Sequence, residues 1–336
     1  MRKAYLDELE RRLQQIEFAA PAATLYLGGG TPNFLSEAEL ERLLALAARY
    51  IPLESAAEIS CELNPESLTA DKWGLLRAFA TRISLGVQSF DAAIRTRLGR
   101  HCREEHLERA LALVEERLPE QQWNCDLIYG VAGTQWTDWE ADLRRVLALN
   151  VDHVSCYALT PEENSRLGLT GLAALDDAAQ AEWWLETGKL LAAGGLSRYE
   201  ISNYARPGRE CRHNVGVWRG ETLLGLGPAA SGFDGCDRYT EPASLAGWLN
   251  GEAPEIDRVP PACREAEIFA VNLRTTRGWS RMEWERRWPG NWDDWQRRCR
   301  ELQRAQPEWW RIQAGEIRLT ETGLLFWDSV AMALLP

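Results

Sequence analysis

Six apolar, strand-like runs separated by amphipathic helical stretches constrain this chain more than anything else in it. The runs fall at 24–27, 57–62, 82–87, 124–129, 152–157 and 198–202, with helical patterns between them at about 36–50, 69–79, 103–117, 137–148 and 177–194. Strict alternation of this kind, with strands that read as nearly continuous apolar runs, predicts an α/β fold: a parallel sheet covered by helices. The pattern leaves open whether the sheet closes into a full barrel. A further helix is expected over 3–17, with Leu6, Leu9, Leu13 and Ile16 along one face. Ser36 with Glu39, and Thr137 with Glu140, read as capping boxes that open two of the helices.

In such folds, polar residues at the C-terminal ends of the strands line the active site. Here the first run passes into Gly28-Gly29-Gly30-Thr31-Pro32. Glycines at that end of a strand let the backbone approach a ligand and leave N–H groups free to point at it. Thr31 adds a hydroxyl, and Pro32 stiffens the turn. The second strand ends Cys61-Glu62-Leu63-Asn64-Pro65, the third runs through Gly86-Val87-Gln88-Ser89-Phe90, and the fourth contains Asn124-Cys125-Asp126. Any one of Glu62, Gln88 and Asp126 can be explained as a solvated rim residue, since a carboxylate buried there without a partner is costly. Three in register, facing a glycine-rich turn, favour a small-molecule site.

Composition removes several alternatives. The formal charge of −12 argues against broad nucleic-acid binding, which needs a basic face. No apolar run is long enough to span a bilayer and no signal peptide opens the chain, so the cytoplasm is the expected compartment. The eight cysteines are dispersed, without the short spacings that put the thiolates of a metal or cluster site on one loop. Cys61, Cys125 and Cys156 fall inside strand patterns, where buried, inert thiols are expected. The 16 tryptophans point to packing or an interface.

Beyond 202 the organisation changes. Residues 203–260 are irregular and rich in Gly and Pro, with Cys211-Arg212-His213-Asn214 and then Trp218 in a loop-like stretch. A lone histidine is more often a structural hydrogen-bonder than a ligand, while the flanking Asn214 and Trp218 weigh the other way. Pro260-Pro261 marks a boundary. Helices are expected near 262–274, 280–288 and 291–305, then a hairpin around Gln313-Ala314-Gly315-Glu316 and a last helix from Thr320. Helices followed by a hairpin suggest a winged-helix-like α+β module, and the acidity of the chain favours packing over DNA reading. The chain thus reads as 1–202, 203–260 and 261–336.

Taken together, the ordered motifs GGGTP, ELNP, LGVQSFD, LGR, DLIYG, CRHN and GEIRLTETG are more specific than any one alone. Their order resembles the radical S-adenosylmethionine (SAM) proteins around oxygen-independent coproporphyrinogen III oxidase, and most of all the haem-chaperone branch of that group. The resemblance implies a partial (β/α)6 barrel. It also implies that Gly29, Gly30 and Thr31 meet the methionine part of SAM, that Glu62 takes the ribose hydroxyls, and that Gln88 and Asp126 complete the lining. Arg100 would pair with the methionine carboxylate, as a guanidinium does well. The haem-binding His-Asn-x-x-Tyr-Trp motif maps onto His213, Asn214 and Trp218, with Val217 in place of its tyrosine.

One departure matters. In the family a first strand leads into Cys-x-x-x-Cys-x-x-Cys, whose thiolates hold a [4Fe–4S] cluster, and this chain begins at the helix after that loop. The expectation is a chain without the usual cluster site, with its sheet short at one edge and the apolar face of helix 3–17 exposed. A late start or truncation explains that better than an evolved pseudoenzyme. Three functions follow: a haem-binding chaperone that hands haem to an acceptor protein, a coproporphyrinogen-oxidising radical SAM enzyme, and an α/β enzyme whose glycine turn binds phosphate.

Overall fold

The computed structural model describes residues 1–161 and 168–336. They form two compact units, one of Met1–Ser197 with Ser202–His213, the other of Arg198–Ile201 with Asn214–Pro336.

The first unit opens with helix α1 (Arg2–Leu13) and then alternates. Strands β1 (Ala22–Leu27), β2 (Leu53–Leu63), β3 (Arg82–Gln88), β4 (Gln122–Tyr129) and β5 (His153–Ala158) pair in sequence order, all parallel. Helices α2 (Glu37–Tyr50), α3 (Ala70–Phe79), α4 (Ala92–Arg97), α5 (Glu104–Glu115), α6 (Trp136–Ala148) and α7 (Asp177–Ala193) lie between and after them. Helix α4 follows the third strand directly and has no counterpart in the expected pattern; Asp91 caps it by accepting from the N–H groups of Ala93 and Ile94.

The strands are not uniformly apolar. Side chains alternate across a strand, and in register they sort into two faces. Cys61, Leu63, Ile83, Leu85, Val87, Cys125, Leu127, Val154 and Cys156 are buried on the helix-covered face, where Tyr129 stacks on Trp139 of α6 at 5.1 Å. The opposite face carries Glu58, Ser60 and Glu62 on β2, Arg82, Ser84 and Gln88 on β3, Asn124 and Asp126 on β4, and His153 and Ser155 on β5. That lumen is knitted by hydrogen bonds. Asn124 donates to Ser84 at 2.6 Å and to Asp126 at 2.7 Å, Ser84 donates to Asp126 at 2.7 Å, and the His153 ring meets Asn124 at 2.6 Å.

Several local expectations change. Helix α1 stops at Leu13, short of Ile16, and its apolar face is covered: Leu6, Leu9 and Leu13 are buried, with Arg42 of α2 bridging to Asp7 and Glu10 at 2.7 and 2.9 Å. The Ser36–Glu39 capping box forms as expected. The second box does not lie at Thr137, which is inside α6; Asp138 accepts from the N–H of Gln135, at the position before the helix, at 2.8 Å.

The expected sixth parallel strand at 198–202 is replaced by β6 (Ser197–Arg198) and β7 (Asn203–Ala205), in a mixed sheet ordered β1-β2-β3-β4-β5-β7-β6. Strand β7 runs antiparallel to β5, pairing His153 with Ala205 and Ser155 with Asn203. The reason lies between them: Arg198–Ile201 is taken into the second unit, where the buried Glu200 pairs with Arg274 at 2.8 Å. The chain therefore returns to the sheet travelling the other way.

In the second unit, most of helix α8 (Arg212–Trp218) is followed by a small antiparallel sheet of β8 (Ser231–Phe233), β9 (Arg238–Thr240) and β10 (Glu255–Asp257), a region with no strand expected from sequence. Helix α9 (Leu245–Leu249) lies within it. The C-terminal segment is α10 (Pro261–Asn272), β11 (Trp279–Ser280), α11 (Arg281–Arg287), α12 (Trp292–Ala305), then the hairpin β12 (Trp310–Gln313) and β13 (Glu316–Leu319), and α13 (Glu321–Leu325) with α14 (Trp327–Leu334). Helices plus a three-stranded antiparallel sheet give the winged-helix-like arrangement. Five of its tryptophans, Trp279, Trp284, Trp292, Trp295 and Trp310, are buried: Trp295 stacks on Phe269 at 4.3 Å, and Trp284 meets the same ring edge-on at 4.9 Å.

Candidate functional site

The glycine turn leaves β1 over the open end of the lumen, and its three glycines are there for different reasons. A side chain at Gly28 would begin 2.4 Å from Cε1 of Tyr26 and 2.8 Å from the Glu62 carboxyl carbon. Gly29 has φ +71°, a conformation that a Cβ strains. Among the described residues nothing lies within 4 Å of where a Cβ on Gly29 or Gly30 would stand. The turn is pinned from behind by Asn33, fully buried, which donates to the Asn64 carbonyl at 2.8 Å and accepts from the Asn64 N–H at 3.0 Å. This clamp joins the glycine turn to the loop after β2, and sequence reasoning missed it.

Glu62 is the centre of the arrangement. Tyr26 donates its hydroxyl to Oε1 at 2.8 Å, and the Gly29 N–H donates to Oε2 at 3.2 Å. Burial pushes the Glu62 carboxyl above its ordinary value and the negative charge of Asp126 adds to this, while the Tyr26 and Gly29 hydrogen bonds and the charge of Arg82 pull it back. Burial likewise raises the Tyr26 phenol, reinforced by Glu62. Tyr26 is therefore a neutral donor throughout the physiological range.

The other expected residues are distributed unevenly. Asp126 faces the lumen beside Glu62 but is already engaged by Ser84 and Asn124. Gln88 ends β3 with φ +68°, in the left-handed region that non-glycine residues rarely adopt, at a register shift against β4. Its side-chain Nε2 lies 3.0 Å from where a Cβ on Gly86 would be. The next residues are held by Asp142 of α6, which accepts from Ser89 Oγ at 2.6 Å and from the Phe90 N–H at 2.8 Å. Thr31 precedes the short turn Pro32–Phe34 without capping it through its hydroxyl. Arg100 is exposed beyond α4 and makes no polar contact with this group among the described residues.

His213 is the finding least visible in sequence. It lies not in a loop but at the second residue of α8. The buried carboxylate of Glu58 accepts from the N–H groups of Arg212 and His213 at 3.0 and 3.1 Å, fastening this end of the helix to the lumen. The imidazole stacks on Tyr26 with centroids 4.8 Å apart, and Nδ1 meets Thr24 Oγ1 at 3.1 Å. Thr24 thus sets its orientation. Burial lowers the His213 pKa, so the ring is neutral at pH 7. Asn214 and Trp218 belong to the second unit, where Trp218 lies 6.1 Å from Tyr199 and takes the Arg274 guanidinium 5.0 Å from its ring.

The polar groups at this end of the sheet have the chemistry that a nucleoside would need. A ribose needs a paired acceptor, which Glu62 offers, next to a turn with free space above its backbone. Thiolates are a different matter. Cys61 and Cys125 are buried under the helices, where desolvation raises their thiols, that of Cys61 to about 12. Among the described residues no group of three or more His, Cys, Asp or Glu side chains is placed to hold a metal ion.

Residues 1–146 match the profile of the radical SAM superfamily. The haem chaperone HemW of Escherichia coli K12 is 34% identical over 267 residues, 77% of this chain and 70% of that protein. HemW of Synechocystis is 33% identical over 272 residues, 77% of this chain and 66% of its own length. HemW of Mycobacterium tuberculosis is 37% identical over 238 residues, 68% and 60% of the two chains. The chain thus spans roughly two thirds of the length of these relatives. Among solved structures, coproporphyrinogen III oxidase (HemN) from Escherichia coli superposes with a TM-score of 0.83 at 21% identity, covering 99% of this chain and 83% of that one, which shows a shared fold. The chain belongs to the HemW family of the radical SAM superfamily.

Proposed function

We propose that this protein binds SAM at the mouth of the lumen and acts as a cytoplasmic haem-binding chaperone that passes haem to an acceptor protein. The observation that carries the reading is the joined constellation of Gly29, Glu62, Tyr26 and His213, which sets a nucleoside-type acceptor and a neutral imidazole in one frame. The Gly29–Gly30 turn and Thr31 take the methionine part, Glu62 the ribose, and Gln88 and Asp126 the remaining lining. The guanidinium of Arg100, without a side-chain partner among the described residues, is available to the methionine carboxylate. His213 offers the neutral imidazole that iron requires, and Asn214 and Trp218 follow it on the same helix. Residues 1–202, 203–260 and 261–336 serve as barrel, motif-bearing extension and C-terminal module. Among the described residues no helix is long and apolar enough to cross a membrane.

Calorimetry with SAM tests the first half: Glu62→Ala should abolish measurable binding, and unchanged binding would put the nucleoside elsewhere. Haem titration tests the second. The parent should give a shifted Soret band that weakens sharply in His213→Ala with the fold intact by circular dichroism. A second reading, a coproporphyrinogen III oxidase-type enzyme, is favoured by the hydrogen-bonded polar lumen, which suits a polar substrate better than an empty chaperone barrel. Binding of coproporphyrinogen without binding of haem would put that reading first.

A further inference from the structure

The Glu62 carboxylate is held at both oxygens, by the Tyr26 hydroxyl on Oε1 and the Gly29 N–H on Oε2. An ionised carboxylate has about four acceptor positions, so one remains open on each oxygen, side by side. Two adjacent acceptors suit two adjacent hydroxyls. The tyrosine that sets one of the bonds is itself confined. It packs over the bare Cα of Gly28 together with Glu62, and its ring lies against the His213 imidazole with centroids 4.8 Å apart. That imidazole is anchored in turn through Nδ1 to Thr24 at 3.1 Å. A single stiff side chain with two rotatable bonds therefore spans from the carboxylate to the histidine.

We propose that Tyr26 is a positioning residue that aims the Glu62 carboxylate at a vicinal diol and ties that aim to the His213 imidazole. The inference rests on the reading that Glu62 takes the ribose, and adds to it a source of diol specificity and a link between the two ligand-binding groups. With the phenol in place, the carboxylate plane is fixed by two donors and its open positions are presented together. Without the phenol, the Gly29 N–H alone holds the carboxylate, which can rotate and lose the paired presentation. A diol bound at Glu62 presses on the same hydrogen bond from the other side, and the tyrosine ring carries the displacement to His213.

The test uses the full chain, with adenosine and 2′-deoxyadenosine as probes, in the parent, Tyr26→Phe and Glu62→Gln. Calorimetry should show adenosine preferred over 2′-deoxyadenosine by the parent, with that preference reduced about five- to tenfold in Tyr26→Phe while the affinity for 2′-deoxyadenosine changes little. A merely structural loss would weaken both probes alike. In parallel, NMR of the histidine rings at constant pH should show saturating adenosine shifting the His213 resonances in the parent and far less in Tyr26→Phe. An unchanged preference together with an unchanged His213 response in Tyr26→Phe overturns the proposal. If the parent binds neither probe, the ribose reading fails, and the link stands or falls on the ligand-free protein. There Glu62→Gln must still move the His213 resonances through Tyr26, and resonances left in place refute it.

Discussion

Substituting Gly28 by alanine puts the geometry of the site to a quantitative test. The new methyl would stand 2.4 Å from Tyr26 Cε1 and 2.8 Å from the Glu62 carboxyl carbon. Carbon–carbon contacts are comfortable only at about 3.5–4.0 Å, so the ring must retreat by roughly 1 Å, which disturbs its hydrogen bond to Glu62 and its stack on His213. Overpacking of this kind costs about 1–3 kcal/mol. A weakened hydrogen bond to a charged acceptor adds about 1 kcal/mol, and the disturbed stack about 0.5 kcal/mol. Loss of glycine's unfolded-state entropy returns about 0.5–1 kcal/mol. The net destabilisation is about 2–3 kcal/mol, or about 5–10 °C in Tm for a domain of this size. Two neighbours serve as controls. Gly29→Ala carries the backbone strain of φ +71° and should cost about 1 kcal/mol, while Gly30→Ala meets nothing within 4 Å and should be neutral in stability. Differential scanning calorimetry of the three variants is the assay. A Gly28→Ala protein that unfolds within 1 °C of Gly30→Ala would refute the packing of Tyr26 and Glu62 over Gly28.

Three further expectations follow from buried groups. Burial raises the Asp142 carboxyl to about 6, against the hydrogen bonds from Ser89 and Phe90. The folded state therefore holds the proton more tightly than the unfolded one, and stability present below pH 4 is lost as pH rises through 6. A shift of about two units corresponds to about 2–3 kcal/mol, so in denaturant titrations Asp142→Asn should lose less stability than the parent between pH 4 and 7 by that amount; parallel curves would show that the carboxyl titrates normally. Glu58→Ala should leave the N–H groups of Arg212 and His213 without their acceptor, costing about 2–4 kcal/mol; hydrogen exchange at those two amides should accelerate by at least tenfold, and unaltered protection would mean that α8 is held by something else. Cys61 and Cys125 should resist a thiol reagent at pH 8 in the native state, since burial both hides them and raises their thiols; rapid labelling of either, identified by mass spectrometry, would contradict the outward face of the sheet.

The succession of elements is legible in the residues alone, because that information is local. Five of the strand runs and the five helices between and after them formed within a few residues of their expected places, and the Ser36–Glu39 box opens α2 as its spacing requires. The glycine turn at the end of β1 was legible too, and so was Glu62 at the end of β2. Even the polar lumen was written in the chain: Glu58, Ser60 and Glu62 alternate with Ile59 and Cys61, and Asn124 and Asp126 with Cys125 and Leu127. That period of two belongs to a half-polar strand, and the expected continuous apolar run holds only for the helix-covered face.

Which of these residues meet depends on contacts between positions far apart in the chain. Tyr26 reaches Glu62 across 36 positions and Thr24 reaches His213 across 189, and no local pattern encodes either distance. Glu58 became the anchor of α8, and not one more rim carboxylate, because the returning chain brought two backbone N–H groups to it. The same return reversed the last strand of the sheet: residues 198–201 have the alternating pattern of a strand, yet the ion pair of buried Glu200 with Arg274 holds them in the other unit. Periodicity reports which face of an element will be buried. What that face is buried against depends on contacts between distant parts of the chain, and these are fixed only when the whole chain has closed upon itself.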